Sequence, residues 1–241
     1  MRRFCVLAAI CIAISQVSWG APCGSGTLAD YIALGSGGCT IGSNTLYDFN
    51  VVSGSFLATA ISPSAVTIGE LGGTSNPGIT ATVNVTANGN ILEAIFTYRI
   101  SGNSYSGDSI TLAGSSETGN GAVSDAQNYC AGGTFGPDGV TGCTGSAGTL
   151  ATADGFFNND SASFGAVNLL SITDDFTLDG SNGGTASGGT ITDQFVAKQV
   201  AAVPEPFSFL LTGVGFALGA GLTFRSRCAG PFRNIGTKRA L

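Results

Sequence analysis

The 241-residue chain contains no histidine and carries a formal net charge of −6, which removes Ser-His-Asp and Cys-His catalysis and most transition-metal chemistry together. Its charge is unevenly placed: between residues 21 and 203 only Arg99 and Lys198 stand against 14 Asp and Glu, a net charge of −12. The Lys/Arg footprint that nucleic acid demands is missing, so nucleic acid is not expected as a partner.

The N-terminus reads as an export signal over residues 1–20. Arg2 and Arg3 give a short basic region, residues 4–14 an apolar core too short to span a membrane, and Ser18 and Gly20 the small residues of a cleavage site. Cleavage between Gly20 and Ala21 leaves Pro22 at the second position of the mature chain. Cys5 and Cys11 depart with the signal, and Cys228 lies in the C-terminal tail. Four cysteines remain outside: Cys23, Cys39, Cys130 and Cys143. An even number in an oxidising compartment reads as two disulfides with three possible connectivities. Cys23–Cys39 and Cys130–Cys143 are favoured, because each closes a short Gly-rich loop; each bridge contributes about 3 kcal/mol. With no Cys-x-x-Cys and no His, neither a metal site nor a cofactor is expected.

The body, residues 21–197, reads as short strands cut by turns. Strands are predicted over 46–52, 56–61, 65–71, 79–87, 91–100, 109–112, 148–156, 162–172, 176–178 and 190–197, all rich in Val, Ile, Thr and Phe. Asn-Pro-Gly, Asn-Gly-Asn, Ser-Gly-Asn and Asp-Gly-Ser-Asn-Gly-Gly between them are turn chemistry. The strongest is 91–100, with Leu92, Ala94, Phe96, Tyr98 and Ile100 on one face and Glu93, Thr97 and Arg99 on the other. Residues 123–129 have the pattern for one or two helical turns. The fold class is all-β: a single antiparallel β-sandwich or jelly roll, ending in a linker over 198–202.

Candidate chemistry in the body is sparse. Asp174 and Asp175, followed by Asp179, Gly180 and Asn182, read as solvated turn charges; as strand neighbours they point to opposite faces and do not form an acid–base pair. The single Gly132-Gly133-Thr134-Phe135-Gly136-Pro137-Asp138-Gly139 stretch reads as a Gly-rich loop inside the Cys130–Cys143 staple rather than a cation-binding repeat, which needs stacked copies. Thr80, Thr82, Asn84 and Thr86 form a row on the wet side of a strand, where sugars or ordered water would meet them. Tyr31, Tyr47, Tyr98, Tyr105 and Tyr129 are the candidates for a sugar-stacking platform.

After the linker come Val203, Pro204, Glu205 and Pro206, then an uncharged apolar run over 207–224, then Arg225 and Arg227 and a basic tail over 228–241. The run is 18 residues long, enough to cross roughly 27 Å as a helix, and the basic residues place its far end in the cytoplasm. Pro204 and Pro206 hold the preceding segment extended, and Glu205 stands near the N-terminus of the helix. The arrangement over 203–227 resembles the PEP-CTERM sorting signal, a tail class also named for ice-binding proteins. The resemblance implies an exported protein of a polysaccharide-making Gram-negative cell. It further implies that an exosortase, a membrane-embedded transpeptidase, recognises and cleaves the tail. The expected protein is then a non-catalytic structural or adhesive component of the cell envelope or extracellular matrix, anchored in the inner membrane until processed. Extracellular polysaccharide is its expected contact. The alternatives are a carbohydrate-binding module, an ice-binding surface and, more remotely, a secreted glycoside hydrolase.

Overall fold

The computed structural model describes residues 20–73 and 76–198. The expected signal-peptide core, the linker beyond Lys198, the sorting residues Val203, Pro204, Glu205, Pro206, Arg225 and Arg227, the span 207–224 and the tail lie outside them. Among the described residues no helix is long and apolar enough to cross a membrane. In chain order the elements are β1 (Gly26–Thr27), α1 (Leu28–Ala33), β2 (Cys39–Ile41), β3 (Asn44–Val51), β4 (Thr59–Ala60), β5 (Val66–Leu71), β6 (Gly78–Val83) and β7 (Thr86–Asn88). They continue with β8 (Ile91–Ala113), β9 (Ser116–Thr118), β10 (Ala122–Ala131), β11 (Ser146–Ala153), β12 (Asn159–Asp179), β13 (Thr185–Ser187) and β14 (Thr190–Lys198).

Two long strands, β8 and β12, serve both layers of an antiparallel sandwich. Over their first contact, residues 91–101 of β8 pair with 169–179 of β12, and β3 and β10 flank them, with β11 beyond β10. Past a register shift between Ser163 and Leu169, the other halves pair again and β14, β6, β5 and β1 extend the second layer. A shift of this kind bends a strand and lets it leave one sheet for another. β4 pairs in parallel with β8, and the small sheet β7-β13-β9 stands apart.

The alternation of 91–100 decides which side is dry. Leu92 is partly buried, and Ala94, Phe96, Tyr98 and Ile100 are buried in one cluster with Ile172, Phe176 and Leu178 of β12 and Ile79, Ala81, Ile191 and Phe195 of the second layer. Aromatic contacts run through it. Tyr31 of α1 meets Phe49 edge-on at 4.9 Å, Phe49 stacks on Tyr98 at 5.1 Å, and Phe195 touches both Tyr98 and Tyr105, at 6.4 and 6.1 Å. Each such pair adds about 0.5–1.5 kcal/mol to its buried area. Tyr105 donates to Asn44 Oδ1 at 2.7 Å, so its hydroxyl is satisfied inside the core. Three of the five candidate tyrosines, Tyr31, Tyr98 and Tyr105, are thereby interior, while Tyr47 and Tyr129 are half-buried.

Both disulfides form as favoured, Cys23–Cys39 and Cys130–Cys143, with Cα separations of 4.8 and 5.6 Å. They belong to an oxidising compartment. The first ties the entering chain to β2, and Thr40 N donates to Ala21 O at 2.9 Å while Thr40 Oγ1 donates to Gly20 O at 3.2 Å. α1 begins at a capping box in which Thr27 and Asp30 satisfy each other's backbone N–H.

Several expectations are corrected. Residues 123–129 are strand, not helix: Val123, Asp125 and Gln127 alternate into the core between two flanking strands. The expected strand 56–61 is mostly turn, with only Thr59–Ala60 paired and Phe56 94% exposed. The expected strand 79–87 breaks after Val83, and Lys198 ends β14 rather than opening the linker. Ser101-Gly102-Asn103 is no reversal; β8 runs through it, with Gly102 at φ 139° where a side chain would strike Ser43 O.

Asp174 is not a solvated turn charge. It lies mid-strand and is 1% exposed, as are Asp108, Asp125 and Asp193, all on the core side. Asp175, as expected of a strand neighbour, faces the other way. Gln127 Nε2 donates to Asp174 Oδ1 at 3.1 Å. Both carboxyl oxygens of Asp108, Asp125 and Asp193 have no hydrogen-bond partner. No three His, Cys, Asp or Glu among the described residues converge as metal ligands would. Removal from water drives these groups to the neutral form: Asp108, Asp125 and Asp193 are pushed well above the usual carboxylate range. Burial raises Asp174 to about 7 against the pull of its Gln127 hydrogen bond. Asp175 reaches about 6 through burial and then the Glu93 charge.

A carboxyl whose folded pKa exceeds its unfolded value binds more protons in the folded state, so its stabilising contribution is present at low pH and lost as pH rises through the folded value. Asp174 and Asp175 place that loss between about pH 4 and 7. Urea unfolding is therefore expected to show higher stability near pH 5 than near pH 8, by roughly 1 kcal/mol or more. Asp174→Asn should flatten the difference by stabilising the protein at the higher pH.

Candidate functional site

The outward face of the first layer carries the concave surface. Arg99 and Thr97 of β8 point here, opposite Ser171 and Thr173 of β12 in register. On the other side of β8, β3 slips register between Tyr47 and Asn50, with Asp48 at φ 56°. A left-handed backbone is uncommon outside glycine, and Asp tolerates it better than most residues. The bulge turns Phe49 inward onto Tyr98 and aims Asp48 at Arg99, whose Nη1 lies 2.9 Å from Asp48 Oδ2. The two side chains remain 37% and 33% exposed, so the pair is wet and its worth in stability is small.

The loop between β10 and β11, closed by Cys130–Cys143, folds across this face. Ser171 Oγ donates to Gly133 O at 3.2 Å and Thr173 Oγ1 to Gly139 O, pinning the loop to β12. Within it Asp138 accepts from Val140 N and Thr141 N at 3.1 and 3.0 Å and from the Thr141 hydroxyl. These bonds hold its carboxyl below the usual range, the Thr141 hydroxyl first. Gly139 has φ 74°, and a Cβ there would lie 2.7 Å from Thr97 Cγ2 and 3.1 Å from Val52 Cγ2. Only glycine combines that backbone with so close a seat.

Between loop, β3 and sheet is a cleft of about 690 Å³, lined among others by Asp48, Asn50, Thr97, Arg99, Phe135 and Asp138. It is of the size that holds small ligands. The guanidinium supplies donors, Asp48 and Asn50 acceptors, and Phe135 an aromatic surface. A smaller hollow of about 390 Å³ adjoins it past residues 51–53. There Glu93 Oε2 accepts from Ser55 N at 2.7 Å. Arg99 and Thr97 were recognisable in the sequence as one strand face. Asp48 and Asn50 were not, because a bulge in another strand brings them in. Phe135, Asp138 and Gly139 lay inside the stretch singled out as a Gly-rich loop, but only its docking on Thr97 shows that it forms a wall.

The row Thr80, Thr82 and Thr86 lies elsewhere and bonds largely within the protein. Thr82 and Thr190 hydroxyls are 2.9 Å apart, as are those of Thr86 and Ser187.

No protein-family model matches the chain, and no curated protein matches it. Among solved structures the chain is similar to TmCBM61 in complex with β-1,4-galactotriose at 11% identity and a TM-score of 0.27, covering 60% of this chain and 86% of that one. It is also similar to the enzymatically active domain of bacteriophage CBA120 tailspike protein 4, at 11% identity and a TM-score of 0.25. That match covers 65% of this chain and 20% of the tailspike chain. Similarity at this level assigns no function, and the chemistry rests on the cleft.

Gly139→Ala is expected to lift the loop from the sheet at a cost of about 1–3 kcal/mol. Amide hydrogen exchange over residues 132–145 should accelerate while exchange in the β8–β12 pair is unchanged.

Proposed function

We propose that the protein is an exported, non-catalytic β-sandwich that engages extracellular polysaccharide in the Arg99–Asp48 cleft. The observation that carries this reading is the paired guanidinium and carboxylate on the floor of an open cleft, wet enough to exchange water for sugar hydroxyls. Adjacent sugar hydroxyls both donate and accept, and a charged donor beside a charged acceptor answers both requirements with strong bonds. A non-catalytic role is supported by the carboxyl at the rim. Asp138 is held low by its own loop, so it lacks the proton that a glycosidase acid delivers. The raised carboxyls Asp108, Asp125, Asp174 and Asp193 face the core instead, and Asp175, raised on the other face, does not line the cleft.

Delivery is the second half of the proposal. The export signal over 1–20, the disulfides and the acidic body support secretion. The sequence over 203–227 supports sorting by an exosortase-type transpeptidase, with membrane anchoring until the tail is cut. Pulse-chase labelling in the native host should show tail removal and envelope association, and Glu205→Ala should impair both. Unchanged processing in that variant would remove the sorting signal from the proposal.

A second reading has its own observation. Thr67, Thr82 and Thr190 stand in register across β5, β6 and β14, and Thr80, Thr192 and Thr111 across β6, β14 and β8. Strand spacing sets such hydroxyls about 4.8 Å apart in one direction and about 7 Å in the other. This array would order water or ice rather than enclose a sugar. A glycan array and an ice-recrystallisation assay separate the two surfaces. Arg99→Ala is expected to reduce glycan retention at least about tenfold, the loss of roughly one charge-assisted hydrogen bond. Retention that survives Arg99→Ala but fails in Thr82→Val or Thr192→Val would move the site to the threonine face.

A further inference from the structure

The cleft carries more negative charge than a neutral sugar requires. Its charged lining is Arg99 on the floor, Asp48 beside it and Asp138 on the loop. Arg99 Nη1 meets Asp48 Oδ2 at 2.9 Å, so those two charges cancel at short range. Among the described residues Asp138 has no such counterion. Its carboxylate accepts from Val140 N, Thr141 N and the Thr141 hydroxyl, neutral donors that hold it ionised without cancelling its charge. Arg99 and Lys198 are the only bases between residues 21 and 203, and Lys198 stands opposite Ser104 in the second layer. The outward face of the first layer continues acidic beyond the cleft. Glu93 lines the adjoining hollow, and Asp175 is its diagonal neighbour across β8 and β12. Phe135, in the same loop as Asp138, also lines the cleft. The face of an aromatic ring attracts a cation, and a cleft lined by one sign of charge draws in the opposite sign.

We propose that the polysaccharide taken by the cleft bears free amino groups, with the ammonium of an unacetylated amino sugar seated at Asp138 beside the Phe135 ring. An ammonium is a compact charge with three donors, and its hydrogen bonds to a carboxylate are charge-assisted. Arg99 donates to the hydroxyls of the neighbouring sugar, and Asp48 keeps the guanidinium from repelling the ammonium. Uronic acids and other anionic polymers are turned away. A carboxylate entering the cleft would face Asp138, and it would reach Arg99 as a rival of Asp48. Acetylation of the amine would remove its charge while leaving the sugar ring and its hydroxyls intact. This specificity rests on the reading of the cleft as a polysaccharide site and adds the charge that its ligand must carry.

The test uses the exported protein with both disulfides formed and three probes of matched length: a glucosamine oligomer, the same oligomer fully N-acetylated, and a galacturonate oligomer. The glucosamine oligomer is expected to bind at least about tenfold more tightly than its N-acetylated form, the worth of roughly one charge-assisted hydrogen bond. Galacturonate should not be retained, and added salt should shrink the tenfold ratio. Asp138→Asn keeps Oδ1 for the Val140 and Thr141 N–H groups but removes the charge, and should bring the ratio close to one. Its mass is checked for return to the acid, because Gly139 follows. Equal binding of the two glucosamine forms by the wild type overturns the amino-group requirement and leaves the cleft reading standing, as does preference for galacturonate. Failure to retain the glucosamine oligomer also overturns it, and if the glycan array is silent as well the cleft reading falls with it. A lysine oligomer that displaces the glucosamine oligomer as readily as free glucosamine oligomer does would trace the preference to the acidic body at large. That result, or a ratio that persists in Asp138→Asn, overturns the seat assigned to Asp138.

Discussion

The structure depends on one pairing, that of β8 with β12. Each strand is long enough to serve both layers, and the register shifts near Ser163–Leu169 are where the pair passes from one to the other. Because the side-chain period is 2, this pairing also decides what is inside and what is out. A slip by one residue would bring Glu93, Thr97 and Arg99 into the core and turn Phe96 and Tyr98 to solvent. The aromatic contacts from Tyr31 through Phe49 and Tyr98 to Phe195 hold that register across the two layers.

The cleft is a by-product of the same constraint. Arg99 faces outward because Tyr98 faces inward, and Asp48 reaches Arg99 because Phe49 is drawn to Tyr98 by a bulge. The cleft and the core packing therefore share a strand and two adjacent residue pairs. The disulfide loop adds the wall. It meets the sheet through backbone carbonyls accepting from Ser171 and Thr173, so its position follows β12 more than its own side chains.

Alternation made the 91–100 strand and its two faces readable, and short Gly-rich spacing made both disulfides readable. Local chemistry misled where it could not see across strands. Ser-Gly-Asn at 101–103 has turn composition, yet it only bends β8 against the β2–β3 turn. Asp174 and Asp175 look solvated beside Asp179 and Gly180, yet Gln127, far away in sequence, supplies the hydrogen bond that lets Asp174 enter the core. Asp48 gave no signal, because its partner is 51 positions away and its left-handed backbone exists only in the folded strand.

One minor contact bears on life at high concentration. β11 is the last strand of its layer, and its outer edge would ordinarily offer unpaired N–H groups to a strand of another molecule. Asp160, from the opposite end of β12, reaches over and accepts from Ala151 N at 3.0 Å. A carboxylate thus occupies the place where a neighbour's carbonyl would dock, and it repels the equally acidic neighbour that carries it. Molecules crowded together are in this way kept from zipping edge to edge into fibres along this strand.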